Sequence, residues 1–466
     1  MSGLERNAEQ STPARIRLFI FDNIVTIIFV VFLIVGYIAS PGITASGLIG
    51  EVVTRFFRNG LLVLSLIIPV MAGLGLNFGI VIGAMAAVLA LIFVRYHNGA
   101  GLGGLLIACL IALPLALLFG YLTGKLFNKT RGQEMIASLI VGYFAEGLFL
   151  IFVLFIIGGL IPVQEGHIMI IPSLEEKPIG VRATFDLGMH PSLMTHRMTE
   201  PPGLKYALDY IWRIEFHHAF LLLSTGALGT LIFTRIRASK KAIAQKTSKL
   251  AFALRCGLWS LFVLLGLHAA FLPHGLIVRF SGYGITLPAS PLAEVGLIPA
   301  VTGLVILLFC LLIHFFTKTK LGQDCRSVGQ SQHISQISGI NVDRVRIIAT
   351  MISTVLAAWG MIIFLQEVGT VSTYTHHRMV GMFSVAALLV GGATAAKAGV
   401  KNALFGLLLF HSMFVVSPGI GRLISANEQV GEYTRSFMVY GVIGLSLGLY
   451  VWKTIKAARD KESLDL

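Results

Sequence analysis

Apolar residues run through this chain in long, nearly unbroken stretches, and polar residues gather between them. The stretches cover residues 18–39, 61–75, 78–94, 103–127, 135–159, 217–234, 250–272, 297–316, 344–365, 380–396, 403–416 and 436–452. Crossing a bilayer as a helix takes about 20 apolar residues, so each run is a full or partial span. Two neighbouring pairs, 61–75 with 78–94 and 380–396 with 403–416, are short and separated by very few residues. The pattern predicts an all-α polytopic membrane protein of about 10–12 transmembrane helices with two interrupted, hairpin-like regions. A membrane barrel would instead show segments of about ten residues with alternating polarity. The first apolar run is too long for a signal-peptide core and lacks a clear small-residue cleavage site, so it is expected to be a retained helix.

The polar intervals order the chain. Residues 1–17 form a cytoplasmic N-terminus and 18–160 a first transmembrane half. Residues 161–215 are an extracytoplasmic insert. Residues 216–316 are middle helices around a basic cytoplasmic loop, 235–249. Residues 317–343 are a second cytoplasmic loop, 344–453 the last helices, and 454–466 a cytoplasmic tail. More than half of the 36 Lys and Arg fall on the side assigned to the cytoplasm, as the bias of short loops requires. Both termini are therefore expected inside, in a bacterial cytoplasmic (inner) membrane.

Composition narrows the class. Only 12% of the residues are charged and 56% are apolar, against about 25% charged in a soluble domain. Mean hydropathy is +0.84. This excludes a soluble globular enzyme and a disordered chain. The net charge of +14 follows from loop topology and carries no nucleic-acid signal. Cys109, Cys256, Cys310 and Cys325 have neither metal nor redox spacing and are expected to be small buried residues.

Chemistry is sparse. No phosphate-binding loop is present; Gly120–Lys125 has the wrong glycine spacing and no Ser or Thr for a metal ion. Glu146 is the one acid deep inside a span, with Glu134, Glu294 and Glu367 at span edges. His217-His218 and His376-His377 invite a metal reading, but adjacent residues diverge on a helix, and interfacial histidines are the expectation. Gly73, Gly75, Gly79 and Gly83 fall at helical spacing, as small residues do where helices approach closely. Within 317–343, the spacing of Ile334, Ile337 and Ser338 predicts a short amphipathic helix.

Three stretches carry a resemblance. They are Gly75-Leu-Asn-Phe-Gly-Ile-Val-Ile-Gly-Ala-Met-Ala-Ala87, then Thr319-Lys-Leu-Gly-Gln-Asp-Cys-Arg-Ser-Val-Gly329 with Ser338-Gly-Ile340, and Val385-Ala-Ala-Leu-Leu-Val-Gly-Gly392. The second is the most specific, because several residue types recur at fixed spacing. Together they resemble the permease subunits of bacterial ATP-binding-cassette importers of the branched-chain amino acid/simple sugar/nucleoside class. The resemblance covers about 61–159 and 297 onward; the insert, two spans and the basic loop between depart from it.

The resemblance implies the ABC importer permease fold and a transport subunit that is not itself an enzyme. It also implies that this chain binds no cofactor and that ATP and Mg²⁺ are used by a partner ATPase. The implied partners are ABC ATPase subunits, a second permease (same or different chain), an extracytoplasmic solute-binding protein and membrane lipid. A coupling helix is implied within the second loop, with Asp324, Arg326, Val328, Ile334, Ile337 and Ile340 as the ATPase-coupling residues. Substrate would pass near the interrupted segments, with Asn77, Phe78, Tyr143, Glu146, Gln366 and Tyr374 as pathway residues. The scarcity of intramembrane charge fits a nucleoside or simple sugar better than a charged amino acid.

Two other readings remain open. One is an ion-coupled secondary transporter with Glu146 as its coupling carboxylate. The other is a membrane enzyme using His167, His190, His196 and His217.

Overall fold

A computed structural model describes residues 24–40, 42–163, 169–170, 180–188, 203–240, 249–273, 276–280, 283–287, 290–425 and 428–462. Seven of its helices are long and apolar enough to cross a membrane. An eighth is added if the bent pair Ala300–Phe316 and Lys320–Gln330 counts as one span. Three further apolar helices are shorter, which is where the 10–12 expected from the sequence lose their full length. The chain divides into two units: residues 1–41, 55–211 and 301–466, and residues 42–54 with 212–300.

The larger unit is built around α4 (Ile80–Tyr96), α5 (Gly101–Lys129) and α12 (Val342–Val368). One face of α5 carries Gly104, Ala108, Ala112, Ala116, Gly120 and Gly124, all buried. This four-residue repeat is a ridge of minimal side chains, and it lets backbones meet. A methyl group added at Gly120 would stand 2.8 Å from the Met351 Cα, and one at Gly124 would stand 2.9 Å from the Ile347 Cα. Trp359 fixes the register, its indole N–H donating to the Cys109 carbonyl at 3.2 Å.

A second buried cluster joins α1 (Ile24–Ile38), α3 (Ile67–Met71), α13 (His376–Val390) and α14 (Val400–Ile424). α2 (Ala45–Ser65) leads into α3. It begins well before the apolar run at 61, because Glu51, Arg55 and Arg58 break the hydropathy without breaking the helix. Between α3 and α4 the chain leaves helical geometry: Gly73 and Gly75 have φ of 72° and 69°. Their spacing is therefore not helical, contrary to the sequence expectation; they turn the chain instead. The second interruption, residues 391–399, separates α13 from α14. α6 (Glu134–Ile151) runs into a π-turn at Phe152–Ile156. Within the insert, β1 (Thr184–Asp186) pairs antiparallel with β6 (Thr370–Ser372).

The smaller unit holds β2 (Arg213–Glu215), α7 (Phe216–Lys240), α8 (Lys249–Phe271), the hairpin β3 (Leu276–Phe280) and β4 (Tyr283–Leu287), and β5 (Leu297–Pro299). β2 pairs with β5, placing Glu215 opposite Leu297. Ser46 donates to the Glu294 carboxylate at 2.8 Å.

Candidate functional site

α9 (Ala300–Phe316) stops at Thr317, and the chain bends by 73° into α10 (Lys320–Gln330). Thr319 caps α10, its Oγ1 accepting from the Gly322 N–H at 3.2 Å. Ser331 caps α11 (Gln332–Ile337) through the Ile334 N–H at 3.3 Å, and Asn341 caps α12 through the Arg344 N–H at 3.0 Å. Side-chain acceptors at these positions satisfy amides that the helices leave unpaired. Three helices therefore start within a short run, each with its own stop and start.

The spacing of the second sequence stretch acquires physical reasons. Beyond the Thr319 cap, Gly322 lies where a methyl would stand 2.0 Å from the Phe316 carbonyl oxygen. At Gly329 a methyl would stand 2.3 Å from the Met71 carbonyl oxygen. The interrupted segment after α3 and the end of α10 thus touch backbone to backbone.

The six residues read as coupling positions separate into two sets. Ile334 and Ile337 are 63% and 74% exposed, an apolar pair on a short, capped helix. Arg326 is exposed and Asp324 half-buried. Val328 is 1% exposed and Ile340 is half-buried against the main core. Val328 faces inward and holds α10 in place, unlike the outward coupling surface the sequence led one to expect, and Ile340 packs part of its side chain against the core. Cys325 is buried beside Val328, and burial pushes its thiol up to about 12, with the Asp324 charge adding to the effect.

Arg346 ties this segment to the helices above it. Its guanidinium is fully buried, donating to the Glu134 carboxylate, to the Phe127 carbonyl at 3.1 Å and to Gln332 Oε1 at 3.2 Å. One side chain of α12 thereby holds the start of α11, the end of α5 and the start of α6. Arg131 and Asp343 form an exposed ion pair at the same level. Sequence reading placed Glu134 at a span edge but missed its partner, because 212 residues separate them.

Further along α6, Ser138 Oγ accepts from the Phe78 N–H at 3.1 Å, and Asn77 Oδ1 accepts from the Gly79 N–H at 2.9 Å. Asn77 is buried and shapes the turn into α4. Phe78, Tyr143 and Glu146 line one narrow open cleft of about 30 Å³, together with Leu139, Met382 and Arg378. The Arg378 guanidinium stands 3.8 Å from the Glu146 carboxylate and 5.8 Å from the centre of the Tyr143 ring. Arg378 was missed, and its position one residue after the His376-His377 pair was the available signal.

Gln366 and Tyr374 do not join them. Gln366 is fully buried, donating to Asp209 at 2.9 Å and accepting from the Leu208 N–H at 3.3 Å. Thr302 donates to the other oxygen of Asp209. A buried amide with both ends engaged is a structural brace, so Gln366 stands apart from the cleft that Phe78, Tyr143 and Glu146 line. Tyr374 sits in the exposed turn between β6 and α13, outside the cleft lining. His167, His190 and His196 lie outside the described residues.

A larger cavity, about 830 Å³, opens beside α10. Arg326, Lys397, Lys401 and His314 contribute to its wall, with Gly329 at its edge. Its charge is positive, so it attracts anions or acidic surfaces.

Residues 48–447 match the family described as branched-chain amino acid transport system / permease component. Two curated proteins are similar over shorter stretches. The probable ABC transporter permease protein YphD of Escherichia coli (strain K12) is 34% identical over 112 residues, which are 24% of this chain and 33% of YphD. The nucleoside ABC transporter permease protein NupC of Lactococcus lactis subsp. cremoris (strain MG1363) is 32% identical over 149 residues, 31% of this chain and 43% of NupC. The matched stretches thus span less than half the length of either relative. No solved structure matches the chain.

Proposed function

Since this chain belongs to the branched-chain amino acid transport system / permease component family, we propose that it is the membrane-spanning subunit of an ATP-driven importer that carries a nucleoside or simple sugar. Such permeases work with ATPase and binding-protein partners. The observation that carries the reading is the Gln332–Arg346–Glu134 link. It joins the segment bearing exposed Ile334 and Ile337 to the helix that bears Tyr143 and Glu146.

The mechanism follows from that connection. Ile334 and Ile337 dock in an apolar groove of an ATPase, where burying two aliphatic side chains contributes roughly 1.5–3 kcal/mol each. Arg326 and the neighbouring Lys397 and Lys401 steer an acidic rim toward α10. When ATP closes the partner subunits, α11 moves, Arg346 carries the displacement to the start of α6, and the cleft walls shift. Phe78 and Tyr143 offer ring faces for a base or sugar. Glu146 beside Arg378 supplies a fixed, partly neutralised polar pair, which favours hydrogen bonding to a neutral solute over a proton-carrier role. The nucleoside reading also draws on the name of NupC.

The deciding experiment is a mild-detergent pull-down of the tagged chain from its native membrane, followed by mass spectrometry. Copurification of an ATPase with phosphate-binding loops is the expected result. A chain that purifies alone even after crosslinking, and takes up solute on an ion gradient without ATP, overturns the proposal.

A further inference from the structure

The smaller unit gathers three side chains that the sequence seemed to point apart. β2 ends at Glu215 and α7 begins at Phe216, so Glu215, His217 and His218 straddle a strand-to-helix junction. The junction is fixed on both sides. Glu215 sits opposite Leu297 in the β2–β5 register, and the Phe216 N–H donates to the Gly296 carbonyl at 2.9 Å.

The Glu215 carboxylate stands 3.0 Å from His217 Nε2 and 3.8 Å from His218 Nδ1. All three donor atoms lie within 4.8 Å of one another. The two imidazoles overlap, with ring centroids 4.2 Å apart and planes inclined at 41°. Adjacent histidines diverge in the middle of a helix. Here they occupy its first turn, and a strand carboxylate next to them draws both rings to one side.

We propose that Glu215, His217 and His218 form a divalent-cation site of the kind that takes Zn²⁺. Zinc bonds of about 2.0–2.2 Å in tetrahedral geometry set neighbouring donors roughly 3.3 Å apart. The two carboxylate–imidazole separations, 3.0 and 3.8 Å, bracket that spacing, and the imidazole donors lie within 4.8 Å of each other. Two imidazoles with one carboxylate are a donor set that zinc uses where it keeps an open position. Burial is graded to match: His217 is buried and fixes one ligand, whereas Glu215 and His218 are exposed and leave an entry path. A plain histidine–carboxylate hydrogen bond would need Glu215 and His217 alone. His218 is therefore the discriminating residue.

The test is titration of the purified full chain, its affinity tag removed, with Zn²⁺ by calorimetry and with Co²⁺ by visible absorption. The expected result is one saturable equivalent and the bands of tetrahedral cobalt. Glu215→Gln and His218→Gln, both at exposed positions, each weaken binding by at least about tenfold. His376→Gln, in the other histidine pair, leaves it unchanged. Absence of saturable binding below about 100 µM, or binding that either Glu215→Gln or His218→Gln leaves unaltered, overturns the site.

Discussion

Arg346 and Glu134 stand 212 residues apart in sequence and share a buried, charge-assisted hydrogen bond. The guanidinium is fully enclosed; its two terminal nitrogens also reach Gln332 and the Phe127 carbonyl, and its Nε–H is buried without a partner. Removing one partner from such a pair leaves a buried charge uncompensated, at a cost of about 3–5 kcal/mol. Arg346→Met is therefore expected to lower thermal stability in detergent strongly. Arg346→Lys keeps the charge but not the fork of donors, so it should fold and show ATPase activity that no longer responds to substrate. Thermal unfolding and substrate-stimulated hydrolysis, measured on the two variants, separate the structural share from the transmitting one.

The exposed pair on α11 makes the opposite prediction. Ile334→Asp and Ile337→Asp are expected to leave unfolding temperature near that of the parent, because both side chains face outward. Copurification of the proposed ATPase partner should fall at least about tenfold, since charge is depleted from interface cores. Val328→Asp buries a carboxylate in the chain's own core and should abolish folding. Quantitative pull-down with a parallel melting curve checks all three.

Gly329 and Gly339 separate crowding from backbone strain. Gly329→Ala drives a methyl to within 2.3 Å of the Met71 carbonyl oxygen and is expected to cost about 1–3 kcal/mol. Gly339 has φ of 81° with open space around it, so Gly339→Asn should cost less than about 1 kcal/mol. Melting temperatures of the two variants give the comparison.

The Cys325 thiol, held up to about 12 by burial, should resist maleimide at pH 8 until the protein unfolds. Its effect on stability has a definite sign. The folded state keeps the proton more tightly than the unfolded chain, so this contribution is fully present below pH 9. It is lost as pH rises from about 9 to about 12. Labelling at pH 8 with and without denaturant, and a melting series across that window in parent and Cys325→Ala, check both statements.

Charge in the cleft gives a last prediction. Glu146→Gln preserves shape and hydrogen bonding but releases Arg378 from its carboxylate. Uptake of a neutral nucleoside or sugar should persist within about tenfold, and inhibition by anionic analogues should rise, each carboxylate–guanidinium contact being worth roughly a factor of ten. Uptake assays in proteoliposomes containing the partner subunits make the measurement.

Much of the fold was legible because hydropathy reports helices that are apolar throughout, as in α5 and α6. It failed at the start of α2, where Glu51, Arg55 and Arg58 lower the average without disturbing the backbone. The hairpin β3–β4 also went unread, since its five-residue strands carry too little pattern beside such long apolar runs. Spacing located the α10–α11 segment but could not tell inward Val328 from outward Ile334, which depends on what α10 rests against. The cleft was half-visible for the same reason. Phe78, Tyr143 and Glu146 drew attention by residue type, whereas Arg378 and the bracing role of Gln366 follow only from contacts between distant segments.

The Arg346–Glu134 pair also sets a clock. At about 5–20 residues per second, the 212 residues between the partners take roughly 10–40 s to synthesise. Throughout that interval the Glu134 carboxylate lacks its Arg346 partner. The first half of the chain is thus held in a provisional arrangement during translation. Arrival of α12 completes it, so a chain stalled before residue 346 lacks the buried link between its two halves.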